Sequence, residues 1–181
     1  MEQPQVILVD KNDNELGTME KMRAHETGQL HRAFSVFIFN HKGEILLQRR
    51  NPAKYHSGGL WSNTCCSHPY PGEDVKDAAN RRLMEEMGMK AELDHLFSFV
   101  YKAELDNDLT EHELDHVFCG TTSDLPVLNE EEVVDFCFLT PEALKQEIKD
   151  RPDHYTEWLK ICFNNLLNKM SYEKDNRRSV Q

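Results

Sequence analysis

Apolar positions alternate with polar ones in several short stretches of this chain and recur at three- and four-residue steps in two longer ones. Val6–Val9 reads as a strand, the cluster Asp10–Asn14 as a turn, and Leu16–Met19 as a returning strand. A polar stretch, Glu20–Gln29, follows. Ala33–Phe39 is rich in β-branched and aromatic residues and Glu44–Arg49 is its partner, with the turn signal Asn40-His41-Lys42-Gly43 between them. Asn51–Ser67 holds Pro, Gly, Ser and Asn and predicts a long loop, a kind of segment that often carries function.

Val75, Ala78, Ala79 and Leu83 form one stripe of a helix predicted over Asp74–Met87, and Gly88 is placed to end it. Leu96–Tyr101, Leu114–Cys119 and Val133–Leu139 are further strands. Thr140 then caps a short helix that begins at Pro141. A last helix runs from about Tyr155 to Met170, where Tyr155, Trp158, Leu159, Cys162, Phe163, Leu166, Leu167 and Met170 share a face. The pattern is mixed α/β, in the α+β sense, with a sheet covered by helices. Residues 1–170 are expected to form a single domain, and the polar stretch 171–181 a flexible tail.

Composition adds exclusions. The chain has 181 residues, 39% of them hydrophobic, enough for one core. A net charge of -11 argues against nucleic acid or an anionic membrane as partner. The five cysteines have neither disulfide-framework nor CxxC spacing, and no signal peptide or membrane span is visible, so a reducing, cytoplasmic setting is expected. Nothing points to an obligate assembly, and a monomer is expected.

Ser67–Met89 carries a motif. Glu73 is followed by Arg81, Leu83, Glu85, Glu86, Gly88 and Met89 at the spacing of the Nudix box, and the segment resembles that signature. Carboxylates near one end of such a helix converge on a divalent cation that in turn holds a diphosphate. The resemblance implies a Nudix-type mixed β-sheet covered by helices. Two positions depart from it: Ser67 replaces a glycine and Arg82 replaces a glutamate. Arg82 removes a metal-binding carboxylate and supplies a phosphate-pairing guanidinium, which sets the chain apart from a Nudix hydrolase.

Outside the box lie the string Trp61-Ser62-Asn63-Thr64-Cys65-Cys66-Ser67-His68-Pro69, the pair His25 and His31, and Glu111-His112-Glu113. Together they resemble the type I isopentenyl-diphosphate isomerases, from Lys21 to Trp158. The resemblance implies a divalent metal (Mn²⁺, Zn²⁺ or Mg²⁺) held by His25, His31, His68, Glu111 and Glu113, a donor set that suits such an ion. It implies Cys66 and Glu113 as acid and base on opposite faces of a small diphosphate. Tyr101 would orient Glu113, and Trp158 would cover a tertiary carbocation in the interconversion of isopentenyl and dimethylallyl diphosphate, a step of isoprenoid biosynthesis. Lys21, Arg50, Lys54 and Arg82 would bind the diphosphate, with Mg²⁺ bridging it to Glu86; these local cations answer the acidity of the whole. His41, His56, His95, His112, His116 and His154 receive no role. Two competing readings are a Nudix hydrolase of nucleoside diphosphate derivatives and a non-catalytic sensing module. The first leaves Cys66, Glu111 and Glu113 without work, and the second leaves an acid–base pair unexplained.

Overall fold

A computed structural model describes residues 3–178, with side chains through residue 169. The chain runs β1 (Gln5–Val9), β2 (Glu15–Glu20), α1 (Lys21–Thr27), β3 (His31–Phe39), β4 (Ile45–Arg50), β5 (Trp61–Ser62), β6 (Cys65–Ser67), α2 (Val75–Met87), β7 (Asp94–Glu104), β8 (Thr110–Thr121), β9 (Val133–Leu139), α3 (Pro141–Asp150) and α4 (Glu157–Arg178). Among the described residues, the nine strands form one connected, mixed network. At its centre β3 pairs in parallel with β8, His31 opposite Glu113 through Phe39 opposite Thr121. β7 runs antiparallel to β8, and β4 antiparallel to β9.

β3 is buried on both faces, as a central strand must be. Phe34, Val36 and Ile38 point towards α2 and pack with Ala78, Ala79, Leu83 and Met87. Phe37 points the other way and packs with Leu159, Cys162, Phe163 and Leu166 of α4. The helical stripes read from the sequence are therefore the faces that clamp the sheet. Asp74 caps α2 by accepting from the backbone N–H groups of Lys76 and Asp77, and Gly88 ends the helix at φ 61°, a left-handed conformation suited to glycine. Thr140 caps α3 through Ala143, as its sequence predicts.

The polar stretch Glu20–Gln29, given no element from its sequence, contains α1, closed by Gly28 in a left-handed turn. Two expectations need correction. The predicted loop Asn51–Ser67 holds two short strands. Cys65–Ser67 pairs with Phe34–Val36, and such a three-residue element is too short for any periodic signal. The last helix begins at Glu157 and continues past Met170 to Arg178. The side chains of the expected tail, and residues 179–181 altogether, lie outside the described residues.

Candidate active site

One cavity opens between β3, β6, β8 and the Asn51–Leu60 loop. It gathers Lys21, His25, Arg50, Lys54, Cys66, His68, Arg82, Glu86, Tyr101, Glu111, Glu113 and Trp158, and His31 lies fully buried beside it, 3.2 Å from His68. Every residue given a catalytic, metal-binding or substrate-binding role thus falls in or against one space. The structure adds five that the sequence left unassigned: Phe34, Ser35, Tyr55, His56 and Ser67. Ser35 sits opposite Cys66 in the β3–β6 pairing, a register that the sequence did not signal.

Local folding explains the placement. α1 carries Lys21 and His25 four residues apart, hence on one face. Ordinary strand alternation turns the neighbouring arginines Arg49 and Arg50 to opposite faces of β4. Arg49 faces solvent and Arg50 is buried. The string around Cys66 is held by its own side chains. Thr64 Oγ1 donates to the Leu46 carbonyl at 2.6 Å and accepts from the Ile38 N–H at 2.9 Å. Asn63 donates to the carbonyls of Val36 and Cys65. These bonds satisfy backbone groups of β3, β4 and β6 and tie the string to the sheet. At the far end, Thr156 N–H donates to the Trp61 carbonyl at 3.0 Å, and the Trp158 indole N–H donates to Ser62 Oγ at 2.8 Å.

The imidazoles have an arrangement with one chemical reading. His25 Nδ1 is 2.7 Å from the Lys21 carbonyl and His31 Nδ1 is 2.7 Å from the Gln29 carbonyl. Each Nδ1 must carry the proton, so each Nε2 presents a lone pair. The His25 Nε2 is buried without a partner. The Nε2 atoms of His31 and His68 lie 3.2 Å apart, and that of His68 is 3.0 Å from Glu113 Oε1. Donor atoms of His25, His31, His68 and Glu113 all fall within 4.8 Å of one another. Converging lone pairs with nothing to accept a bond from are what a divalent cation satisfies, and carbonyl-bonded imidazoles are its usual supports. The residues fit a metal.

Glu111 and Glu113 share the Tyr101 hydroxyl, at 2.9 and 2.7 Å. Two buried carboxylates so close cannot both ionise freely. Burial, then the neighbouring Glu113, holds the Glu111 carboxyl well above its ordinary range. Burial also opposes charge on Glu113, but His31 and His68, where their Nε2 atoms carry a proton rather than an ion, outweigh it and draw its carboxyl well down. Burial pushes the Cys66 thiol up to about 12, so it carries its proton. Each side of the cavity therefore holds one proton. Beneath Cys66, Ser35 Oγ donates to Asp115 Oδ2 at 2.8 Å, and burial raises the Asp115 carboxyl to about 8.

The box helix is neutralised in a telling way. Arg81 makes a two-pronged contact with Glu73, at 2.7 and 2.8 Å, and reaches Glu85 at 3.3 Å. Two of the three box carboxylates are thus held on the surface. Only Glu86 faces the cavity, accepting from Gln48 at 2.8 Å and from Arg82 at 2.5 Å. Lys54 pairs with Glu132, and Arg50 lies over the Trp158 ring, 5.0 Å from its centre. Among the described residues no helix is long and apolar enough to cross a membrane.

Known proteins agree with this geometry. Residues 29–159 match the NUDIX domain family. A solved structure from Deinococcus radiodurans, DR0079, superimposes with a TM-score of 0.74 over 89% of this chain and 98% of that one, at 18% identity, which speaks for the fold alone. The chain belongs to the Nudix family. Its curated relatives narrow that class. An isopentenyl-diphosphate Delta-isomerase of Pectobacterium atrosepticum is 49% identical over 88% of this chain and 89% of its own length. Isopentenyl-diphosphate Delta-isomerase 1 of Aromatoleum aromaticum is 51% identical over 90% of this chain and 92% of its own. Within the Nudix family, this chain is a member of the isopentenyl-diphosphate Delta-isomerases.

Proposed function

We propose that this protein interconverts isopentenyl and dimethylallyl diphosphate by adding one proton to the substrate and removing another, through a tertiary carbocation. The observation that carries the reading is the pairing of a protonated Cys66 thiol with the Tyr101-bridged Glu111/Glu113 carboxyls around one cavity. A proton source and a proton acceptor are both at hand for an allylic shift. By microscopic reversibility, Cys66 and Glu113 exchange roles between the two directions.

Trp158 supports the cation. Its ring forms part of the lining, and Arg50 already lies over an indole face. Such a face stabilises a desolvated cation by about 2 kcal/mol. Lys21, Arg50, Lys54 and Arg82 lie at the same cavity and supply the charge for a diphosphate. A divalent ion held by His25, His31, His68, Glu111 and Glu113, of the Mn²⁺, Zn²⁺ or Mg²⁺ class, would tune the acidity of Glu113. Glu86 is the carboxylate available to a Mg²⁺ that arrives with the diphosphate. Tyr101 keeps the two carboxyls oriented.

The test is to incubate the protein with isopentenyl diphosphate and divalent metal in D₂O and follow the product by NMR. Deuterated dimethylallyl diphosphate is expected, and none with Cys66→Ala. Absence of both product and exchange across several metals, with phosphate released instead, would return the chain to the hydrolases.

A further inference from the structure

His56 lines the cavity and has no part in the chemistry above. It is 5% exposed, and the loop accepts an uncommon conformation to keep it there. Ser57, the next residue, has φ 51°, in the left-handed region that side-chain-bearing residues seldom occupy. The Asp106 carboxylate holds that turn by accepting from the Ser57 N–H at 3.2 and 3.3 Å. Asn107 donates to the Tyr55 carbonyl at 3.0 Å, and Arg50 to the His56 carbonyl at 3.3 Å. Three successive residues are thus pinned from outside the loop, with the imidazole turned inward.

Donor atoms of His25, His56 and Glu111 all lie within 4.8 Å of one another, as do those of His25, His31, His68 and Glu113. The two sets share His25. Because His25 Nδ1 is engaged by the Lys21 carbonyl, Nε2 is its one free lone pair, and a lone pair binds one ion. The sets are therefore two sides of a single centre. Joined, they supply four imidazoles and two carboxylates, the six donors of an octahedron. With bonds of about 2.1 Å, opposite donors would stand about 4.2 Å apart, so His56 and Glu111, which lie outside the 4.8 Å grouping of His25, His31, His68 and Glu113, would have to move inward as the ion binds.

We propose that His56 is a protein ligand of this metal centre, filling its sixth position. The proposal rests on the metal reading of His25, His31, His68, Glu111 and Glu113. It has a chemical consequence. A centre filled by protein donors has no open position for water or substrate, so its ion anchors the two glutamates rather than polarising the substrate. Four imidazoles also favour later first-row ions over Mg²⁺. The competing role for His56 is to pack edge-on against Trp158, with ring centres 5.6 Å apart.

The experiment loads the wild-type protein, His56→Ala, His56→Asn and His31→Ala with Mn²⁺. Affinity is read by electron paramagnetic resonance and inner-sphere water by water-proton relaxation. Wild type is expected to hold one ion with no exchangeable inner-sphere water. Both His56 variants should bind it roughly tenfold or more weakly and gain one water, which added imidazole displaces from His56→Ala. His31→Ala should lose the tight site. If the His56 variants keep wild-type affinity and water count, the ligand assignment is overturned, and a fall in turnover alone would leave His56 as a support for Trp158. If His31→Ala binds Mn²⁺ as wild type does, the centre is not here, and the metal reading falls with the proposal.

Discussion

The Arg82 guanidinium lies 2.5 Å from the Glu86 carboxylate, one turn along the same helix. In a box built for hydrolysis, position 82 carries a carboxylate of its own. Here the substituted arginine reaches Glu86, Glu85 and Glu132 and balances them while no diphosphate is bound. In the proposed reaction Glu86 would be the carboxylate for an ion that arrives with the diphosphate, and Arg82 the partner of its phosphate oxygens.

Arg82→Glu restores the box carboxylate and tests that exchange. Losing charge-assisted bonds to phosphate and adding a like charge beside Glu86 should lower kcat/KM about 100-fold or more, mostly through KM. Mg²⁺ binding without substrate should tighten. Steady-state kinetics and Mg²⁺ calorimetry read both. Unchanged KM would remove Arg82 from diphosphate binding.

Cys66→Ala should lower kcat about 10³-fold or more, within the range of a lost general acid or base, while inorganic pyrophosphate binds within about threefold of wild type. Tyr101→Phe should lower kcat by less and should weaken metal binding as well, because Glu111 and Glu113 lose the hydroxyl that lies between them. Equal metal affinity in wild type and Tyr101→Phe would show that the hydroxyl does not organise the carboxylates.

Lys54 gives the pH dependence. Burial pulls its ammonium down to about 8, Arg50, Arg82 and Lys21 add to the effect, and Glu86 opposes it. A lowered lysine is charged below that value and neutral above it. The free enzyme therefore loses a diphosphate-binding cation as pH rises, and kcat/KM should fall above about pH 8. Lys54→Arg, which stays protonated, should be flat to about pH 9.5. A break that persists in Lys54→Arg would assign the titration to another group.

Ser62→Ala leaves the buried Trp158 indole N–H without its acceptor. About 1–3 kcal/mol of stability should be lost in denaturant unfolding. Turnover should fall while pyrophosphate affinity holds, since Trp158 acts on the cation and not on the phosphates. Trp158→Phe should keep more activity than Trp158→Leu, because an aromatic face remains.

Long periodic elements of this fold were legible in the sequence, and so were the chemically distinctive residues of the site. The stripe of α2 and the apolar face of α4 repeat often enough to be read, and Thr140 and Gly88 mark element ends by chemistry of their own. Cys65–Ser67 gave no strand signal, because its pairing with β3 is a tertiary event. His56 was passed over for a similar reason. Its inward turn depends on Asp106 and Asn107, far along the chain, and no local pattern encodes that contact. The pairing of Arg81 with Glu73 was equally hidden, although it decides which box carboxylate faces the cavity.

The parallel ladder that sets His31 opposite Glu113 has a bearing on how the protein comes into being. Side chains alternate along a strand, so a slip of one residue would send one of the two away from the other. The strands that carry them are joined only after most of the intervening chain has been made, and such long-range pairings are slow to close. A nascent or half-assembled chain has scattered histidines but no pocket for an ion. An ion held by these residues would therefore be bound by the assembled chain and not by an unfolded one.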